Sequence, residues 1–251
     1  MYHIKVQSYD TEHPLYNKLQ DGSGTLFVPE ARVAKDYFKN GLYEQSYIQW
    51  AVEKFADNTK NIIDIGAHIG MYTMAFGKKV NRVYSFECSP KSFNFLCANL
   101  LLHDLSYKVT KYNVALSDKE GISKYYIRDP HDGGGNGIAG FARDVNTPTI
   151  DVPTITLDSL GLNNINFIKI DVEGHEEQVL RGAVKTLKRN NYPKILFESW
   201  PERYEGTMGI PAVELRRSLF DFLKSLGYSV AQVKGGTDDM FLAARMPKKY
   251  R

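Results

Sequence analysis

The chain is poor in cysteine, in net charge and in long apolar runs, and each shortage excludes a class of protein. Its two cysteines, Cys88 and Cys97, make no disulfide framework and predict a reducing, cytoplasmic compartment. Lys and Arg number 32 against 29 Asp and Glu, so the net charge of +3 argues against a nucleic-acid partner. The N-terminus MYHIKVQSYD has no apolar signal core, and no long uncharged apolar run occurs, so we expect no membrane span.

The length and the order of the predicted elements favour one α/β domain over residues 1–251. A chain of 251 residues with 43% hydrophobic content can bury a full core. Residues 1–40 are predicted to form an N-terminal cap, and 41–251 a core of alternating strands and helices. We expect a mostly parallel sheet with helices on both faces and an antiparallel final pair. Among its elements we expect one strand over Lys108–Leu116 and one helix over Gly174–Lys188.

The stretch Asn61–Glu87 is typical of a nucleotide-binding half-fold. It reads as a strand, a turn bracketed by Gly66 and Gly70, a helix, and a second strand that ends at Glu87. Glycine lets backbone approach a ligand closely, and the helix start offers free N–H groups to a carboxylate. Glu87 is placed to accept hydrogen bonds from two ribose hydroxyls.

The turn lacks the middle glycine of the dinucleotide fingerprint G-x-G-x-x-G, because it reads G-A-H-I-G. A pyrophosphate needs that close approach, whereas S-adenosylmethionine (SAM) has no phosphate. Asp64, just before the turn, suits the SAM ammonium group directly or through water. We therefore expect SAM, with a dinucleotide or an ordinary βαβ unit as the alternatives.

Polar residues also lie at the carboxyl ends of the apolar strands, where the sites of such sheets lie. They are Asp64, Glu87, Asn113, Asp171 and Glu198. Glu44 opens a predicted helix at the same edge, where it either touches the cofactor's amino group or favours the helix dipole. Cys88 either lines the adenine pocket or is an inert thiol.

Several ordered motifs between Tyr43 and Glu198 resemble the FkbM family of SAM-dependent methyltransferases. They are IIDIGAHIGMYT, the acid in YSFECSP, NVALSD, VPTITLDSL, FIKIDVEGHEEQVLRGA and ILFES. The resemblance implies a class I, Rossmann-like fold with seven strands, the last antiparallel, and O-methylation of a sugar or natural-product hydroxyl. His68 and Cys88 depart from the family's usual asparagine and proline, but they remove no needed carboxylate or glycine.

Motif and resemblance together predict a set of residues around the cofactor. They are Glu44, Asp64, Gly66, Ala67, His68, Gly70, Thr73, Glu87, Cys88, Asn113, Ala115 and Asp171.

Methyl transfer to an alcohol needs alignment and a base for the hydroxyl proton. Asp171 is the first candidate base, Glu198 the second and His175 the third. A helix start would keep His175 neutral, as a base requires, but we prefer the alternative that His175 is a surface residue at the start of the helix. Asp171, Glu173, His175 and Glu198 could offer ligands to Mg²⁺, but a bare acid cluster is a weak signal and we expect no metal.

The acceptor is predicted to be a small molecule or a glycan. A run of Asp171-Val172-Glu173-Gly174 does not fit base N-methylation, while ribose 2′-O-methylation and a non-catalytic glycan-binding role stay as alternatives. Tyr72, Phe141, Trp200 and Tyr204 either stack on a sugar or pack internally. The glycine-rich segment 129–149 is either a lid or a plain connection. The oligomeric state is not predicted.

Overall fold

The structure is a computed structural model, and it describes residues 16–18, 25–27, 44–129, 135–140, 142–206, 210–233 and 239–245. Most of the predicted cap and Phe141 lie outside these residues. Within the cap, a short antiparallel pair joins β1 and β2. The strands are β1 (Tyr16–Lys18), β2 (Thr25–Phe27), β3 (Asn61–Ile65), β4 (Arg82–Phe86), β5 (Val109–Tyr112), β6 (Ala115–Leu116), β7 (Gly121–Tyr126), β8 (Thr149–Ile155), β9 (Ile165–Ile170), β10 (Lys194–Glu198), β11 (Tyr228–Gln232) and β12 (Met240–Arg245).

Seven strands form the main sheet in the order β11-β12-β10-β9-β3-β4-β5. Each neighbouring pair is parallel except those that contain β12, which runs antiparallel to β10 and to β11. The strand order reverses between β3 and β9, and a crevice for a ligand lies at such a switch point. The predicted seven-stranded α/β sheet with an antiparallel last strand is confirmed.

Helices cover both faces of this sheet. They span Gln45–Phe55, Met71–Gly77, Pro90–Leu102, Glu176–Arg181, Val184–Arg189 and Ala212–Ser225. Strand β3 is buried along its whole length, and its side chains alternate between two cores. Ile62 packs with Phe76 and Leu96 on one face, while Ile63 packs with Leu180 on the other. The sheet is therefore closed to solvent on both sides, which leaves its edges and strand ends for a site.

The prediction of one strand over Lys108–Leu116 is wrong, because the chain leaves the main sheet after Tyr112. Strand β6 instead pairs with β8, and β8 pairs with β7, in a separate three-stranded sheet. The break falls at Asn113, whose side-chain amide donates to the carbonyl oxygens of Glu87 and Cys88 at 2.8 and 3.2 Å. Asn113 thus fastens the end of β4 at the point where β5 stops.

The predicted helix Gly174–Lys188 is in fact two short helices, and the interruption has a steric cause. At Gly182, between them, a Cβ would lie 2.0 Å from the carbonyl oxygen of Ser117. Only glycine permits this approach of the small sheet to the helical layer.

No helix among the described residues is long and apolar enough to cross a membrane.

Candidate cofactor pocket and active site

The turn after β3 depends on glycine because the chain crowds itself there. Gly66 has φ +72°, and a Cβ on it would lie 1.7 Å from the carbonyl oxygen of Asp171. Gly70 has φ +97°, and its Cβ would meet Leu96 at 2.6 Å. The turn is thus wedged against the end of β9 and the helix Pro90–Leu102. Internal packing alone therefore requires both glycines, and their closeness to a ligand stays a prediction.

Asp64 is completely buried at the end of β3. Its Oδ2 accepts a 2.5 Å hydrogen bond from the Thr73 hydroxyl, which also lies 2.7 Å from Ser85 Oγ. Its Oδ1 has no hydrogen bond from any described residue, and the Lys169 Nζ lies 3.8 Å away. Burial raises the pKa of Asp64, and the charge of Lys169 opposes that rise. Thr73 therefore orients Asp64, and Oδ1 is an enclosed acceptor without a hydrogen-bond donor among the described residues.

Glu87, one strand further along, is held by backbone donors. Its Oε2 accepts from the His68 N–H and its Oε1 from the Ser89 N–H, both at 2.8 Å. Burial raises its pKa to about 7. His68 lies within the turn and has φ +51°, and its N–H is directed at this carboxyl group. Each carboxylate oxygen has a second acceptor position, which keeps Glu87 available to ribose hydroxyls.

Glu44 directs its side chain towards Tyr72 and lies near Asp171. It precedes the helix Gln45–Phe55 with φ +55° and makes no side-chain cap. Its Oε2 instead accepts a 2.9 Å hydrogen bond from the hydroxyl of Tyr72, which is buried. Burial and the nearby Asp171 carboxylate raise the pKa of Glu44 to about 7. Glu44 thus does not cap its helix, and its contact with the cofactor stays a prediction, while Tyr72 is an internal packing residue.

An apolar wall stands beside Glu87, where an adenine ring would lie. Ala115 and Tyr125 are buried in the small sheet and pack with Val152 and the half-buried Cys88. Burial raises the pKa of the Cys88 thiol well above its usual value, which keeps it neutral. Ala67 is buried too, and its N–H donates to the carbonyl of Phe86 at 3.0 Å.

Three carboxylates gather beyond β9 and β10, and we call Asp171, Glu173 and Glu198 the acid trio. One oxygen from each can be chosen so that all lie within 4.8 Å of one another. Burial and the charge of Asp171 raise the pKa values of Glu173 and Glu198 well above their usual range. Glu173 has φ +55° and Gly174 φ +94°, so the chain reverses directly after β9. Such strained backbone next to a cluster of like charges is characteristic of functional sites.

His175 is not part of this group of carboxylates. Its Nε2 lies 3.0 Å from the Ser117 hydroxyl, towards the small sheet. Burial, and not the predicted helix dipole, lowers the pKa of His175 to about 4 and keeps the ring neutral.

A cavity opens beside the acid trio and faces the helix Ala212–Ser225. Glu173, Glu198, Ser199, Trp200 and Leu215 are among the residues that line it. Trp200 thus lies on the same cavity as Glu198, the second candidate base. Tyr204, by contrast, does not line this cavity, and 39% of its surface is exposed.

The described part of the glycine-rich segment lies against the acid trio. Its Gly137 bridges to Tyr126, and a Cβ on Gly137 would lie 3.1 Å from the Cβ of Glu173. Arg128 fastens it through a buried ion pair with Asp144 at 2.8 Å and hydrogen bonds to the carbonyls of Gly135 and Ala139. The two predicted roles of this segment, a lid or a plain connection, stay predictions.

Sequence reasoning missed Lys169 and Glu176. Lys169 is buried in β9 and donates to the Gly66 carbonyl at 2.9 Å, with Asp171 Oδ2 at 3.3 Å. Glu176 accepts from the N–H groups of Val172 and Gly174, and so fixes the reversal after β9. A signal for Lys169 was present, since it is the one charged residue inside the apolar strand INFIKI.

Comparison with known proteins agrees with the predicted family. The family model described as "Methyltransferase FkbM domain" matches residues 64–230. "Methyltransferase 1" of Beauveria bassiana is 28% identical over 188 residues, which cover 66% of this chain and 74% of that protein. "Hexuronic acid methyltransferase AglP" of Haloferax volcanii is 29% identical over 153 residues, 59% of this chain and 60% of that protein.

Solved structures share the fold at low identity. The FkbM methyltransferase of Methylobacillus flagellatus KT aligns with a TM-score of 0.50 and 16% identity, over 86% of this chain and 48% of that one. The O-methyltransferase of Bacillus cereus, solved with S-adenosylhomocysteine, aligns with a TM-score of 0.52 and 16% identity over 84% and 85%. Since the family model covers 167 of 251 residues, the chain belongs to the FkbM methyltransferase family.

Proposed function

We propose that the protein uses SAM to methylate a hydroxyl group. We further propose that this hydroxyl belongs to a sugar in a glycan or in a glycosylated small molecule. The observation that carries this proposal is the arrangement of carboxylates at one edge of the sheet. Asp64, Glu87 and Glu44 surround the glycine turn, while the acid trio lies just beyond it, next to a cavity. The carboxylates around the turn can bind the cation and the ribose of the cofactor, and the acid trio can take a proton from an alcohol.

The pocket residues fit the functional groups of SAM. The unsatisfied Oδ1 of Asp64 is the kind of buried acceptor that an ammonium group or a bridging water satisfies. Glu87 has acceptor positions left for the ribose, beside an apolar wall suited to adenine. SAM would supply a methyl group already activated by a sulfonium. The S-adenosylhomocysteine in the B. cereus enzyme of the same fold supports this cofactor.

The protein's own contribution would be alignment and removal of a proton. Asp171 is our first candidate base, since it directly follows β9 and belongs to the acid trio, and its side chain is partly exposed. Glu198 is the second, because its raised pKa makes it a stronger base once it is ionised. His175, which points to Ser117, is the third. The proton of the acceptor hydroxyl would pass to the residue that acts as the base while the hydroxyl oxygen gains the methyl group.

Two observations support a sugar as acceptor. Trp200 lines a cavity of about 30 Å³ beside Glu173 and Glu198, which is too small to enclose a sugar, so the support lies in the aromatic face that Trp200 offers to one side of a pyranose ring. The archaeal relative is a hexuronic acid methyltransferase by name. The chain spans 60% of that relative's length and 48% of the M. flagellatus chain, so the activity of the whole protein belongs to the proposal too.

We further propose that the reaction needs no metal and that the protein works in a reducing compartment. Methyl transfer to a positioned hydroxyl requires no Lewis acid. Cys88 and Cys97 are free thiols in the structure, which suits reducing conditions.

The proposal is tested with methyl-labelled SAM and three acceptor sets, namely neutral sugars, hexuronic acids and RNA. We expect label to enter a carbohydrate set at its oxygen, with one S-adenosylhomocysteine formed per methyl transferred. Label in RNA alone would replace the proposal with ribose methylation. Binding of sugars without transfer to any set would favour a glycan-binding role. Asp171→Asn, tested beside the wild type, serves as the control for transfer that depends on the site.

A further inference from the structure

Lys169 places a positive charge in the middle of the cofactor pocket, although it comes from the interior of a buried strand. Its side chain is 5% exposed, and its Nζ donates to the Gly66 carbonyl at 2.9 Å. The same nitrogen lies 3.3 Å from Asp171 Oδ2 and 3.8 Å from Asp64 Oδ1. It also lies 5.3 Å from the centre of the Tyr72 ring. One ammonium group thus links the turn, the end of β3 and the end of β9.

These contacts affect whether the neighbouring acids are ionised or protonated. A buried carboxylate without a cation would take up a proton, because burial penalises its charged form. The charge of Lys169 opposes this at Asp64. Burial alone would lower the pKa of Lys169, but Asp171 and then Asp64 outweigh burial and raise it, so the lysine stays protonated and cannot act as a base.

The carboxylates in contact with Lys169 outnumber its single positive charge. Two carboxylates, Asp64 and Asp171, face the ammonium of Lys169, which leaves one negative charge over. The amino group of SAM would neutralise that charge, and Oδ1 of Asp64 still lacks a hydrogen bond. With Lys169 replaced by a neutral residue, the same two carboxylates would repel each other.

We propose that Lys169 is a positioning residue of the cofactor pocket, which holds the Gly66 carbonyl and keeps Asp64 ionised so that Asp64 can take the amino group of the cofactor. This inference rests on the proposed SAM-binding function. It assigns to Lys169 no contact with the acceptor and no part in proton transfer.

Further ionisable groups face this pair from the neighbouring elements. Glu44 lies at the start of the helix Gln45–Phe55, Tyr72 on the helix Met71–Gly77, Glu87 after β4, and Asp171 and Glu173 after β9. All of them are neutral or negative, so none can replace the charge of Lys169. Its loss therefore makes Asp64 easier to protonate.

The test compares the wild type with Lys169→Gln and Lys169→Arg. Glutamine keeps a donor for the Gly66 carbonyl without the charge, and arginine keeps the charge. Binding of S-adenosylhomocysteine is measured by calorimetry at about pH 6, 7.5 and 9. Each variant is compared with the wild type at the same pH, so that titration of the ligand's own amino group cancels.

We expect Lys169→Gln to bind at least about tenfold more weakly than the wild type near pH 6. This difference should narrow several-fold as the pH rises and Asp64 loses its proton. The dissociation constant of Lys169→Arg should keep the same ratio to that of the wild type at every pH. A difference that is the same at every pH, or no difference at all, overturns the inference.

Folding is checked by thermal unfolding of each variant. Lys169→Gln should fold best at acidic pH, because protonation removes the uncompensated charge of Asp64. If it stays unfolded throughout while Lys169→Arg folds, Lys169 serves the fold alone and the inference is wrong. A wild type that binds no S-adenosylhomocysteine overturns the proposed function itself, which the other outcomes leave intact.

Discussion

Replacing Gly66 by alanine tests the wedged turn at the centre of the site. A Cβ there would lie 1.7 Å from the Asp171 carbonyl oxygen, so the two atoms must separate by at least about 1.3 Å to reach the closest approach of 3.0 Å that real Cβ atoms tolerate. That oxygen belongs to backbone, and the Asp171 N–H donates to the Ile65 carbonyl at 3.0 Å. The change therefore has to pull β3 and β9 apart.

The expected loss of stability has two parts. A non-glycine residue at φ +72° costs about 1 kcal/mol. Forcing apart a well-packed region adds about 1–3 kcal/mol, and more where backbone must move. We therefore expect Gly66→Ala to lower the free energy of unfolding by about 2–4 kcal/mol. Its effect on cofactor binding should be large as well, because the carbonyl held by Lys169 moves with the turn.

Gly161→Ala is the matched control. Gly161 has φ +62°, but no atom lies within 4 Å of its Cβ position, so only the cost of about 1 kcal/mol for the backbone conformation applies. Both variants are unfolded in urea, and the free energies are taken from the midpoints and slopes. Equal losses in the two variants would show that the contact with Asp171 does not constrain the turn, and the reasoning would be refuted.

Four further results are expected. Asp171→Asn should lower kcat by about 10²–10⁴ with little change in SAM affinity if Asp171 is the base; weak SAM binding with normal turnover at saturation would place Asp171 on the cofactor instead. Glu87→Ala should weaken SAM binding in calorimetry by about 2–3 kcal/mol, since two ribose hydroxyls lose a charged acceptor; unchanged affinity would remove Glu87 from the pocket. Activity should survive EDTA, and a loss that Mg²⁺ restores would make the acid trio ligands. The ligand-free protein should melt at a higher temperature near pH 5.5 than near pH 8. Glu44, Glu87 and Glu176 have pKa values raised to about 7, so the folded chain binds more protons than the unfolded chain between about pH 4.5 and 7. A melting temperature that rises with pH over this interval would contradict the burial of these carboxyl groups.

The predicted main sheet depended on local patterns that the structure keeps. Apolar runs such as NIIDI and KILFE are long enough to cross a core, and glycine or proline marks most of their ends. Parallel strands also place their carboxyl ends at one edge, so the residue after each strand could be assigned to the site from the sequence. Glu87 and Asp171 directly follow their strands, and Asp64 lies one residue before the end of β3.

The small sheet and the broken helix could not be read from local patterns. Strand β6 has two residues and pairs with β8, which lies more than thirty residues away in the chain. Gly182 interrupts its helix only because the Ser117 carbonyl comes within reach in the folded state. Both features depend on contacts between distant segments, and no propensity of the local sequence reports them.

The sequence by itself determined the family, the order of the strands along the chain and the acids that end them, because these follow from residue types at fixed spacing. The tertiary structure decided which of these groups meet. In the folded chain His175 lies beside Ser117, and Glu173 lies close to Asp171 and Glu198. Lys169, in β9, contacts the turn after β3. These contacts join residues of different strands, so the pKa values and the ion pairs of the site exist only once the sheet has formed.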